Sequence, residues 1–111
     1  MQDIVQESQK IESHPGCVAV ALCVLGNKWT ALIVNELYNK PRRFSELEHA
    51  LTGISPRTLS QRLDELEADK MITKQSFAEV PPRVVYTLTK KGQDLAPILR
   101  GMAEWGEKYS K

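Results

Sequence analysis

Cysteine is scarce in this chain, with only Cys17 and Cys23 in 111 residues, far too few for the disulfide framework of a small secreted domain. Their spacing matches no cysteine-rich zinc motif. His14 stands three residues before Cys17, but no third or fourth ligand follows nearby, so no metal is expected. Long apolar runs are missing too. The longest, Cys17 to Leu25, falls well short of the ~20 residues that cross a bilayer. The opening MQDIVQESQKIE carries acids and no apolar core, unlike a signal peptide. A cytoplasmic protein with reduced thiols and no membrane partner is expected. No glycine-rich phosphate loop, paired acid and base or activated nucleophile appears, which argues against an enzyme and implies no cofactor. Nor is there an excess of one charge: 15 basic against 14 acidic residues leave a net +1, giving no global support to a nucleic-acid partner.

With 41% hydrophobic and 26% charged residues, the composition is that of an ordinary globular protein, and the length fits one domain whose buried surface a partner subunit could enlarge. The charge is unevenly spread. Residues 1–39 hold two basic and four acidic groups, residues 40–92 ten and seven, and residues 93–111 three and three. The positive excess therefore lies in the middle, although an excess this modest is usually a solvated face.

The middle is also the best punctuated part. Val18 to Leu25 reads as a short helix broken at Gly26-Asn27, after which Trp29, Leu32, Ile33 and Leu37 recur at helical spacing until Asn39-Lys40-Pro41. Ser45-Glu46-Leu47-Glu48 has the form of a capping box and predicts a helix start at Ser45, presenting Leu47 and Leu51 inward and ending at Thr52-Gly53. Ser55 then serves as N-cap, Pro56 as first helical residue, and Ile54 with Leu59 as hydrophobic staple. Two capped helices joined by so short a glycine-containing turn outline a helix-turn-helix. In the second, Leu59, Leu63 and Leu66 face the core while Arg57, Ser60, Gln61 and Asp64 share the opposite side. Any amphipathic helix has a polar side, so this alone does not indicate a ligand.

Met71 to Phe77 and Arg83 to Leu88 are rich in β-branched and aromatic residues and flank Ala78 to Pro82, which predicts a β-hairpin with Pro81 and Pro82 in the loop. A hairpin directly after a helix-turn-helix is a wing. Thr89 caps a last helix whose Leu95, Ile98, Leu99, Met102, Trp105 and Tyr109 form one long apolar stripe, with Pro97 as a candidate kink. The wing and short helices cannot cover both this stripe and that of Val18 to Leu25, so a homodimer is expected. The fold expected is mainly α with a small β-hairpin wing: an N-terminal arm over 1–16, then one domain over 17–111 with the helix-turn-helix at about 45–69, the wing at about 71–88 and the last helix at about 90–109.

LGNKWTALIVNEL, PRRFSELEHALTGISPRTLSQRLDELEADKMI, EVPPRVVYTLTKKGQDLAPIL and the closing Trp105-Gly106, in this order, resemble the HxlR-type winged helix-turn-helix regulators of bacteria and archaea, in the MarR-like superfamily. The resemblance covers Cys17 to Tyr109. It implies a dimeric transcription regulator joined through its N- and C-terminal helices, with Val18, Leu22, Leu25, Leu95, Leu99, Met102, Trp105 and Tyr109 at the interface. It also makes the helix from Ser55 the recognition helix. The chain departs from the family pattern at Cys17-Val18 (often Cys-Pro), Gly26-Asn27 (often Gly-Gly) and Asp69-Lys70 (often Asp-Gly). A left-handed Lys70 costs on the order of 1 kcal/mol relative to glycine.

A recognition helix meets base edges with its N-terminal part. Arg57 and Arg62 then suit phosphate or guanine, Gln61 suits adenine, and Ser55, Thr58 and Ser60 suit phosphate oxygens, with Pro56 leaving helix-start N–H groups open to a phosphate. Arg42, Arg43 and Ser45 before the first helix, with Lys74 and Arg83 on the wing, are candidate phosphate clamps. The partner implied is double-stranded DNA, bound by a homodimer at an inverted repeat. A winged helix that binds a protein and no specific DNA is the alternative, and a small redox protein lacks the expected C-x-x-C. Cys17 aligns with the cysteine that some family members use to sense oxidants or electrophiles, which permits a small effector of that kind, although a buried packing thiol is the commoner role. Six helical positions turn about 240°, so Cys17 and Cys23 cannot pair within one helix, whereas Cys17 could reach the other subunit.

Overall fold

Side-chain caps fix where most of the helices begin. In the computed structural model, which describes residues 18–110, α1 spans Val18–Leu25 and α2 spans Lys28–Asn39, with an 86° bend between them. Asn27 Oδ1 accepts the Thr30 N–H at 3.1 Å, satisfying one of the donors that a helix start leaves orphaned. α2 then sends Thr30, Ile33, Val34 and Leu37 inward. The expected arm over 1–16, including His14, and the Cys17 thiol lie outside the described residues. Among the described residues, no single helix is long and apolar enough to cross a membrane.

The next helix starts earlier than its sequence suggests. α3 spans Phe44–Ala50 with Arg43 as N-cap, and Glu46 rather than Glu48 accepts the capping N–H, from Arg43 at 2.8 Å. A guanidinium has no acceptor to offer in return, so only half of a capping box forms. The earlier start follows from Glu46, whose bond to the Arg43 N–H caps the helix where an extended segment ends. Arg42–Arg43 form a short strand, β1, with Arg42 opposite Tyr86 and Arg43 opposite Val85, and this pairing keeps the chain extended up to residue 44. Two residues carry no periodicity, so the hairpin read from the sequence lacks this third strand.

The turn into the following helix matches its residues. Gly53 sits at φ +94°, a conformation that side chains resist. Ser55 Oγ accepts the Thr58 N–H at 3.1 Å and Pro56 opens α4, Pro56–Ala68. Ile54 and Leu59 are both buried, as a staple requires. α4 buries Leu59, Leu63 and Leu66 and packs on α2 and on β2.

β2 (Ile72–Phe77) and β3 (Arg83–Leu88) complete an antiparallel sheet of order β1-β3-β2. Ile72, Tyr86 and Leu88 are buried on its core-facing side. Thr89 then joins sheet to helix. Its hydroxyl donates to the Lys70 carbonyl at 2.7 Å and accepts the Gly92 N–H at 3.2 Å, starting α5, Lys90–Tyr109. Pro97 lies inside α5 without ending it.

Of the stripe expected at a dimer interface, Val18, Leu22, Met102, Trp105 and Tyr109 are exposed. Leu25 and Leu95 are half-buried, and Leu99 belongs to the core of the single chain. Leu99 therefore faces inward and offers a partner little surface.

Two backbone positions next to Thr89 pull stability in opposite directions. Lys70 is left-handed, at φ 61°, so Lys70→Gly should stabilise the fold by about 1 kcal/mol. A methyl group on the buried Gly92 would strike the Met71 carbonyl and lie 2.8 Å from Leu88 Cδ2. Gly92→Ala should destabilise by about 1–3 kcal/mol. Urea unfolding midpoints of the two variants, which should move to opposite sides of the parent, check both signs.

Candidate nucleic-acid interface

With Leu59, Leu63 and Leu66 turned inward, α4 has no choice about what it presents outward. Arg57, Ser60, Gln61 and Asp64 fall within an arc of about 100° at 3.6 residues per turn, and all four are exposed. The Arg57 and Gln61 side chains have no intrachain hydrogen-bond or ion-pair partner among the described residues, so their donors are available to a ligand. The cap uses other groups. Ser55 Oγ accepts the Thr58 N–H and donates to Thr58 Oγ1 at 2.9 Å. Pro56 has no N–H, which leaves the Arg57 amide as the open donor in the first three helical positions.

Arg62 is placed differently from Arg57. Five residues on, it is rotated by about 140°. Its Nη1 donates to both carboxylate oxygens of Glu65, at 3.0 and 3.1 Å, and the side chain is only 21% exposed. It lines a cleft of about 430 Å³ with Cys23, Asn27, Thr30 and Asp69. The structure thus turns Arg62 toward the α1–α2 turn and away from the Arg57–Gln61 row.

Strand register divides the expected phosphate clamps. Lys74, Tyr86 and Arg42 are cross-strand neighbours and share the core-facing side, whereas Arg43 and Arg83 share the other. Arg42 is paired to Glu36 at 3.4 Å. Lys74 shares a cleft with Glu67 and Lys70, beside the acidic half of α4. Arg43 and Ser45 are exposed and meet Pro82 and Val84 of the wing across a second cleft, so the start of α3 and the wing form one continuous surface. Arg83, at the far end of the wing, is held by Glu79 at 2.8 Å and lies 4.1 Å from the centroid of the Phe77 ring. Sequence reasoning missed the acidic partners Glu36, Glu65 and Glu79. Only the Arg62–Glu65 pair had a legible signal, its i,i+3 helical spacing.

A buried-leucine second helix with an open polar start, and a three-stranded sheet with a hairpin running from it, define a winged helix-turn-helix. Comparison with known proteins narrows the class. Residues 24–111 match the model of the HxlR-like helix-turn-helix family, and the chain belongs to that family. It is 44% identical over 89 residues to the HTH-type transcriptional regulator YvaP of Bacillus subtilis (strain 168), covering 80% of this chain and 82% of YvaP. To the regulator YodB of the same strain it is 36% identical over 89 residues, 80% of each chain. Among solved structures, the redox regulator HypR in its oxidized form superposes with a TM-score of 0.79 at 36% identity, covering 85% of this chain and 97% of HypR. The reduced form of YodB gives 0.74 at 34% identity, covering 88% and 95%. The chain is a transcriptional regulator with a helix-turn-helix domain.

The acidic half of α4 also acts on the sheet. Tyr86 is buried, and burial first, then the carboxylates of Asp64 and Glu67, hold its phenol above the ordinary value of 10.0. The folded state therefore favours the neutral ring. Its contribution is complete below the unfolded value and is lost as the pH rises through the folded one. Tyr86→Phe should remove this alkaline component, so between about pH 8 and about pH 11 its urea midpoint should fall less than that of the parent chain. Parallel curves would show that Tyr86 is not the group responsible.

Proposed function

We propose that the chain binds double-stranded DNA as a homodimer and reads an inverted-repeat operator with the first half of α4. The observation that carries this reading is the exposed, unpartnered row of Arg57 and Gln61 at the open end of a capped helix. Arg57 can donate bidentately to guanine O6 and N7, Gln61 can pair with adenine, and Ser60 and the Arg57 amide can meet phosphate oxygens. Arg43 and Ser45 flank that row as backbone contacts, with Lys74 a more distant one near the base of the wing. The exposed apolar residues of α1 and α5, Val18, Leu22, Met102, Trp105 and Tyr109, support closure of a twofold dimer, since a patch of this kind is unusual on a monomer. Such a dimer would set two α4 helices about 34 Å apart, one turn of DNA.

The effector class we propose is an oxidant or electrophile acting on Cys17. It is supported by the neighbours named as a redox regulator, HypR, and as diamide-treated YodB.

Arg57→Ala should weaken operator binding by about 1–3 kcal/mol while the dimer stays folded. Unchanged affinity in a folded variant would remove Arg57 from the reading head, and a footprint without pseudo-palindromic symmetry would count against the dimeric arrangement. For the effector, diamide should lower operator affinity in the parent chain and leave Cys17→Ser unaffected. Identical responses would sink the thiol switch.

A further inference from the structure

The far end of the wing is electrically unusual for a surface expected to lie against DNA. From Phe77 to Arg83 it carries two charges, Glu79 and Arg83, and these sit 2.8 Å apart as an ion pair. The remaining loop residues, Ala78, Val80, Pro81 and Pro82, are uncharged, and Val80 is fully exposed. Both partners of the pair are held in position. The Glu79 N–H donates to the Phe77 carbonyl at 2.9 Å, which fixes the acid within the turn, and the Arg83 guanidinium lies over the Phe77 ring. Phe77 and Arg83 are also the last cross-strand pair of the hairpin. A phosphate approaching Arg83 therefore meets a carboxylate beside it, and the attraction of one is offset by the repulsion of the other.

We infer that Glu79 is a specificity-determining residue of the wing: it neutralises Arg83, so that the far end of the wing contacts a duplex by shape and adds nothing to the sequence-independent attraction for phosphate. This rests on the DNA-binding reading above. Charge-driven affinity is what makes regulators bind random DNA, and each phosphate neutralised adds about −0.9 to the slope of log K against log salt. An acid locked onto the wing's distal cation removes one such contact.

The test is a salt series of binding to a fluorescein-labelled duplex of random sequence, followed by anisotropy, for the parent chain, Glu79→Gln, Arg83→Gln and the double variant. Glu79→Gln should bind about threefold to tenfold more tightly near 0.1 M salt and steepen the slope by about one. Arg83→Gln, which leaves the Glu79 carboxylate uncompensated, should weaken binding, and adding it to Glu79→Gln should restore parental binding. The inference is overturned if Glu79→Gln changes nothing, if its gain persists without Arg83, or if the double variant binds more weakly than the parent. Absence of salt-dependent binding by the parent chain would instead overturn the DNA-binding reading itself, and this inference with it.

Discussion

Burial of Leu59, Leu63 and Leu66 is the constraint on which the surface of this protein depends. Each fully buried leucine favours the folded state by roughly 1.5–3 kcal/mol, and the three lie along one side of α4. Rotating the helix to present any other side would expose that stripe to water. The outward residues are thus determined by what must be hidden. Arg57, Ser60 and Gln61 project because they lie opposite the leucines, and Arg62 folds back because it lies near them. Packing of α4 on α2 and β2 ties that orientation to the rest of the core, where Ile33, Val34, Leu47 and Ile72 are closed to solvent.

The remaining cations are sorted by local geometry. Arg42, Arg62 and Arg83 each form a salt bridge within the chain, whereas among the described residues the exposed guanidinium groups of Arg43 and Arg57 form none. Count and net charge cannot make this distinction, because a paired arginine and an open one have the same formal charge. It also explains how a chain with net charge +1 can hold a nucleic-acid surface: the acids are placed to silence some cations and spare others. The carboxylates of Asp64 and Glu67 also act on the Tyr86 phenol of the sheet, although both side chains are exposed.

How much of this was legible in the sequence depends on the range of the interaction involved. Local signals read correctly. Ser55 and Thr89 cap their helices, Gly53 takes a positive φ, and Lys70 accepts the left-handed position where the family often has glycine. These need only a few neighbouring residues to be specified. What could not be read was set by partners distant in the chain. The strand at Arg42–Arg43 exists because β3, some forty residues later, hydrogen-bonds it, and α3 begins directly after it, ahead of the capping box at Ser45. Leu99 belongs to the apolar stripe by spacing, yet the protomer's own core claims it. The Arg83–Glu79 pair sits in a turn, where the i,i+4 rule of helices gives no guidance.

The two-residue β1 has a mechanical consequence. It is continuous with α3 on one side and hydrogen-bonded to the wing on the other, so the wing's distance from the helix-turn-helix is set by a ladder and not by a flexible loop. The molecule has the form of a caliper with its jaws fixed. A duplex that touched both α4 and the wing would have to offer a matching span from one groove to the next, and sequences that bend or narrow readily would meet that span at lower cost than stiff ones. Part of the selection among DNA sequences would then be made by backbone hydrogen bonds that touch no base.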